Sequence, residues 1–222
     1  MNRYPLLMKY IESMCLVTKE SYEFRIGKTP VTVGLWKEYV SDCDIEMPPS
    51  PEWGWIDNHP IVNVSWKEIM ASDGFCAWAT EITNMPLTLP TNSQWTYAST
   101  DQYGSRFPWG NEFDISKLWC SGEVHRDSGG TAAVDRTNHI YVNSYGLSDV
   151  LGNVWDWCLD QYTDEEIGWT GPSRFRNPRV IRGCCWQTRS FKPSGAVIPG
   201  LGKVRADGDK YRDSIGFRLI SP

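Results

Sequence analysis

The stretch YGLSDVLGNVWDWCLD, residues 145–160, decides how this chain is read. It is rich in glycine, asparagine, aspartate and aromatics, the composition of a long ordered loop rather than of a regular element. Its GLSDVLG run lacks the G-x-S-x-G spacing of a nucleophile elbow, so it does not supply a catalytic serine. Trp155 and Trp157 are read as core residues that anchor the loop. The same texture recurs in DQYGSRFPWGNEFD (101–114) and SGEVHRDSGGTAAVD (121–135). With twelve tryptophans and nineteen glycines in 222 residues, the expectation is irregular backbone held in place by bulky rings.

Regular structure is predicted mainly before residue 100. YEFRIGKTPVTVGLWKEYV (22–40) reads as a strand, a turn at Gly27 to Pro30, and a helix over about Thr32 to Val40. In NVSWKEIMASDGFCAWATEI (63–82), Ser65 and Glu68 have the S-x-x-E spacing of a capping box, and Trp66, Ile69, Met70, Phe75 and Trp78 supply an apolar face. Thr91 with Gln94 is a second such start. Asn63-Val64-Ser65 matches a glycosylation acceptor, but Ser65 as a helix N-cap explains it better. RVIRG (179–183) and IGFRLI (215–220) look like closing strands with irregular chain between them. GLGKVR (200–205) is no phosphate loop, because Val197 and Val204 replace the required glycine and hydroxyl residue.

The length suits one domain with a substantial core. The N-terminus has only a few apolar residues before Lys9 and Glu12, so neither a signal peptide nor a membrane span is expected, and a cytoplasmic or virion-associated location fits. Seven cysteines contain no C-x-x-C pair, and His59, His125 and His139 show no ligand spacing; reduced thiols and no zinc follow. Residues 179–222 carry nine Lys/Arg against three Asp, while the preceding chain has thirteen against twenty-four Asp/Glu. The basic segment is expected to neutralise the acidic body across a folded interface, and nothing resembles a nucleic-acid-binding module.

HPIVNVSWKEIMASDGFCAWAT (59–80), LTLPTNSQWTYAS (87–99), FPWGNEF (107–113), the opening stretch, RVIRGCCW (179–186) and IGFRL (215–219) follow one another as in the formylglycine-generating-enzyme, or sulfatase-modifying-factor, family. The resemblance spans roughly residues 20 to 220. It implies an α+β, C-type-lectin-like fold, loop-rich and low in regular secondary structure, over a single domain of residues 1–222.

Fold does not settle function. The resemblance implies that catalytic members oxidise a cysteine of a protein substrate through two copper-binding thiols placed shortly after a Gly-Gly-Ser-aromatic motif. In register, those positions fall on Thr188 and Pro193, which cannot replace thiolates toward a soft ion. Cys184 and Cys185 lie just ahead, at the strand end, where neighbouring side chains would point to opposite faces if the strand continued; no copper is expected. An iron-dependent branch needs a histidine cluster that this chain lacks. A third, non-catalytic branch comprises the variable proteins of diversity-generating retroelements, found in phages, archaeal viruses and some prokaryotes. These randomise template adenines and present hypervariable residues up to a Gly-Phe-Arg motif. The segment 184–214 has the mixed character that randomised asparagine codons yield, with Ser194 and Ile198 where the family usually has arginines.

The leading expectation is therefore a ligand-binding display protein, with residues 1–183 as scaffold and 184–218 as the presenting segment. The candidate contacts are Trp186, Gln187, Arg189, Phe191, Lys192, Ile198, Leu201, Lys203, Tyr211 and Arg212, facing a protein or glycan on a host or target surface. The alternatives are an oxidoreductase with thiols elsewhere and a purely structural subunit. The resemblance also implies a structural calcium loop, whose ligands fall on the side chains of Asp149 and Asp156 and the carbonyls of Gly152 and Val154. A second family calcium site is lost, since Lys117 and Arg126 stand where ligands would sit.

Overall fold

The chain is described by a computed structural model over residues 3–19, 22–100, 105–120, 129–136, 142–162, 177–188 and 204–222. It begins with a helix, α1 (Pro5–Glu12), and a hairpin of β1 (Cys15–Lys19) and β2 (Tyr22–Ile26). The helix α2 (Val33–Asp42) starts at Thr32, whose hydroxyl accepts the Leu35 N–H. Ser65 and Glu68 form the expected capping box at the head of α3 (Trp66–Met70), and Thr91 with Gln94 does the same for α5 (Asn92–Ser99). Reciprocal capping satisfies N–H groups that the first turn leaves without partners, so these polar pairs set where each helix begins. The apolar face read over residues 66–78 is divided between two helices. The path breaks at Ala71 to Gly74, and α4 (Phe75–Thr83) starts afresh.

The remaining strands among the described residues are β3 (Trp155–Gln161), β4 (Pro178–Arg182), β5 (Val204–Asp207), β6 (Ile215–Gly216) and β7 (Ile220–Ser221). They form two sheets with strand orders β1-β2-β7 and β5-β4-β3-β6. β3 runs antiparallel to β4 and parallel to β6, while β7 closes antiparallel on β2. IGFRLI is thus two short strands, one in each sheet, with Phe217 to Leu219 as the crossing. Among the described residues no helix is long and apolar enough to cross a membrane.

Two apolar clusters make the core, and the four-stranded sheet lies between them. Along β3, Trp157 packs among the helices α1 to α4, and Cys158 packs on the other side with Trp95, Phe107 and Leu147. Along β4, Ile181 joins the first cluster and Val180 the second. This is the period of two expected of a strand buried on both faces. Trp155 packs against both clusters.

Arg218, on the crossing between β6 and β7, is fully buried. Its Nε donates to Asp156 Oδ2 at 2.8 Å, and its other nitrogens donate to the carbonyls of Gly27, Lys28, Ser148 and Asp149 at 3.1–3.4 Å. One side chain therefore ties the turn after β2 to the loop that leads into β3 and to β3 itself. Removing one member of a buried pair leaves the other charge uncompensated, which costs about 3–5 kcal/mol. Arg218→Met is expected to lose that much in urea unfolding, and Asp156→Leu combined with Arg218→Met to recover much of it. A single variant within about 1 kcal/mol of wild type would show that the pair does not hold the fold.

Candidate functional site

The loop 145–154, ahead of β3, is fixed by polar contacts rather than by regular hydrogen bonding. Asp149, Gly152 and Asn153 all take left-handed backbone conformations, at φ 53°, 93° and 63°. A Cβ on Gly152 would stand 2.8 Å from the Trp119 nitrogen, so this position needs glycine for space as well as conformation. Asn153, fully buried, exchanges two hydrogen bonds with the Ala132 backbone and donates to Asp149 Oδ2 at 2.9 Å. Its own carbonyl accepts the Trp186 N–H at 2.9 Å.

Both side-chain positions expected to bind calcium are engaged by arginines. Arg136 grips Asp149 through two bonds, Nη1 to Oδ2 at 2.8 Å and Nη2 to Oδ1 at 2.5 Å, and stands over the Trp119 ring. Asp156 Oδ2 accepts from Arg218 and from the Trp95 indole at 2.9 Å. Burial raises the Asp156 carboxyl above its ordinary range, against the opposing pull of Arg218. Its Oδ1 is buried and has no partner among the described residues. With Asp149 held by Arg136, the expected set offers calcium at most Asp156 Oδ1 and the Gly152 and Val154 carbonyls, against the six to eight oxygens the ion takes. As it stands, the set is a poor fit for a divalent cation. Arg136 and Asn153 carry no signal in the sequence, because a contact between positions thirteen apart has no periodic signature.

The cysteine pair sits beyond β4. Gly183, at φ 90°, turns the chain out of the strand, and a Cβ there would lie 3.1 Å from the Val150 carbonyl. Both thiols are buried, Cys184 within the second apolar cluster. Burial first, then the neighbouring thiols Cys185 and Cys120, push the Cys184 thiol well above its usual range. Cys185 is also raised by burial, against hydrogen bonding that includes Thr188. Thr188 closes a tight turn here: its N–H bonds the Cys185 carbonyl and its hydroxyl accepts the Cys185 N–H. Among the described residues no three His, Cys, Asp or Glu side chains group as metal ligands.

Of the ten candidate contacts, Arg189, Phe191, Lys192, Ile198, Leu201 and Lys203 lie outside the described residues, as do Pro193, Ser194 and Arg126. The other four fall on one face. Trp186 is half-buried, stacked edge-on against Trp53 with ring centroids 5.1 Å apart, and its indole donates to the Asp213 carbonyl. It serves to pin the segment down more than to present a surface. Gln187 and Arg212 are exposed, and Tyr211 is 49% exposed, its hydroxyl resting on Glu68 Oε1 at 3.2 Å. Tyr211 lines two neighbouring grooves. One, of about 450 Å³, also includes Gln187, Arg212, Glu52 and Asp213. The other, of about 710 Å³, runs beside the break between α3 and α4 and holds Glu46, Glu68, Asp73 and Asp209.

Two small sheets, flanking short helices and long ordered loops locked by a buried Gly-Phe-Arg arginine define a C-type-lectin-like domain of the formylglycine-generating-enzyme type. The model of the sulfatase-modifying factor enzyme 1-like domain matches residues 15–222, and the chain belongs to that family. It is 33% identical over 212 residues to the formylglycine-generating enzyme of Mus musculus, covering 86% of this chain and 52% of that protein. It is 29% identical over 170 residues to the inactive C-alpha-formylglycine-generating enzyme 2 of Bos taurus, covering 73% and 50%. The chain thus spans about half the length of these curated relatives. Among solved structures, the Treponema denticola variable protein 1 superposes with a TM-score of 0.68 at 21% identity, over 93% of this chain and 91% of the other.

Thiolate is the reactive form of cysteine, so buried thiols held high are inert. Iodoacetamide at neutral pH is expected to modify exposed Cys43 readily and to reach Cys184 and Cys185 only after unfolding, as read by peptide mass spectrometry. Rapid labelling of either in the folded protein would restore a redox role for the pair.

Proposed function

We propose that this chain is a non-catalytic ligand-binding protein, in which the scaffold of residues 1–183 displays the C-terminal segment 184–218 toward a protein or glycan on a host or target surface, as a retroelement variable protein does. The observation that carries the reading is the contrast within that segment. Cys184 and Cys185 are buried, and Gln187, Tyr211 and Arg212 stand out around two grooves; the family resemblance puts a catalytic thiol at Thr188, where this chain has none. Likeness to a variable protein supports the same reading at the level of fold. Binding surfaces favour aromatic and arginine anchors on a preorganised frame, and Tyr211 and Arg212 are of that kind. The carboxylates around Tyr211 favour a ligand with basic groups there, through electrostatic steering.

Two experiments test it. The gene sequenced across related isolates is expected to vary almost entirely within codons 184–214, at adenines of a nearby template copy beside a reverse-transcriptase gene. Variation spread evenly along the chain would remove the retroelement assignment. The identity with the mouse enzyme favours an oxidoreductase as the second reading. Purified protein loaded with copper and given a Cys-x-Pro-x-Arg peptide is expected to consume no oxygen above the buffer rate, and sustained turnover would establish the enzyme.

A further inference from the structure

We infer that the guanidinium of Arg136 does in this loop what the structural calcium implied by the family resemblance would do, so that the loop keeps its shape without an ion. An ion in such a loop has two tasks: it cancels the carboxylates' charge, and it binds together backbone that no ladder supports. Arg136 does the first by pairing with Asp149 through both oxygens, with its own side chain 11% exposed and that of Asp149 3%. A planar fork matched to a carboxylate adds direction to the charge, as a lone ammonium does not. It does the second by spanning two segments. Nη1 also donates to the Ala133 carbonyl at 2.9 Å, and Asn153 clasps Asp149 and the backbone of Ala132 from the other side. Arg218 completes the arrangement, because it donates both to Asp156 and to the main-chain carbonyl of Asp149. The two carboxylates that a calcium site would share are thus divided between two arginines.

This has a consequence for the display surface. The Asn153 carbonyl holds the Trp186 N–H, so the residue at the root of the segment 184–218 takes its position from the loop. The root is therefore set by an arginine encoded in the chain, independent of calcium in the surroundings.

The test is thermal unfolding of the whole chain in 1 mM EDTA and in 5 mM calcium chloride, with calcium binding followed by calorimetry. Wild type is expected to melt at the same temperature in both and to take up no calcium. Arg136→Ala is expected to melt roughly 5–15 °C lower in EDTA and to regain part of that loss in calcium, because Asp149 is freed to join the Gly152 and Val154 carbonyls and Asp156. Should that variant not fold, Arg136→Lys keeps the charge without the fork and is expected to melt between the two and to respond weakly to calcium. Stoichiometric calcium uptake that raises the melting temperature of wild type would overturn the inference. So would an Arg136→Ala protein as stable as wild type, or a destabilised one that calcium does not help. None of these outcomes depends on ligand binding, so they stand apart from the test of the display reading.

Discussion

The pairing of Arg218 with Asp156 is the constraint on which the other parts of the molecule depend. The chain has few long elements to organise it: β6 and β7 are two residues each, and α3 is one turn. Short elements carry little intrinsic stability, so tertiary contacts must place them. A guanidinium offers five donors in a rigid geometry. Here they reach two parts of the chain far apart in sequence: the turn after β2, and the loop leading into β3 together with β3 itself. Burying such a group is costly unless its donors are met. Full engagement of the Arg218 donors by Asp156 and four main-chain carbonyls is what makes the position tolerable and specific at once.

A domain held in this way can allow sequence change in segments that carry none of those ties. Among the described residues the core clusters draw on the helices, the strands and the loops before β3, and from the C-terminal part of the chain on Cys184, Ala206, Ile215, Phe217, Leu219 and Ile220. Gln187, Tyr211 and Arg212 lie between these anchored points. Cys184 and Cys185 belong to the anchored side, with Gly183 turning them inward and Thr188 closing the turn. Chemistry that needs an accessible thiolate and packing that needs a small apolar side chain are opposite demands on cysteine, and burial here decides for packing.

Much of the fold was legible because its signals are local. The caps at Ser65 and Thr91 each place an oxygen three residues before the N–H it accepts, a spacing that needs no knowledge of the rest of the chain. The strand character of β3 was hidden inside a run of turn-forming residues, and only pairing with β4 and β6 makes WDWCLDQ extended. β5 was missed for a similar reason, since Val204–Asp207 has no alternation of its own and pairs with β4 in register. The broken helix after Met70 follows from Ser72-Asp73-Gly74, a turn signal outweighed on paper by the apolar spacing on either side. Of the candidate site, the resemblance located the loop and the aspartates, and it named the residues that a relative would place around an ion.

What no spacing rule could supply was the origin of the compensating charge. Arg136 lies thirteen residues before Asp149, and only the folded path through Ala132, Ala133 and Trp119 brings the two together. A carboxylate kept at a family's metal position is therefore weak evidence for the metal. The carboxylate demands a positive neighbour, and a guanidinium meets the demand as well as a cation does when the surrounding backbone can be tied through its remaining nitrogens. Here Ala133 and Asn153 provide that tie, and on the inference drawn from Arg136 the two aspartates act as halves of two arginine pairs, one fastening the loop and the other the core.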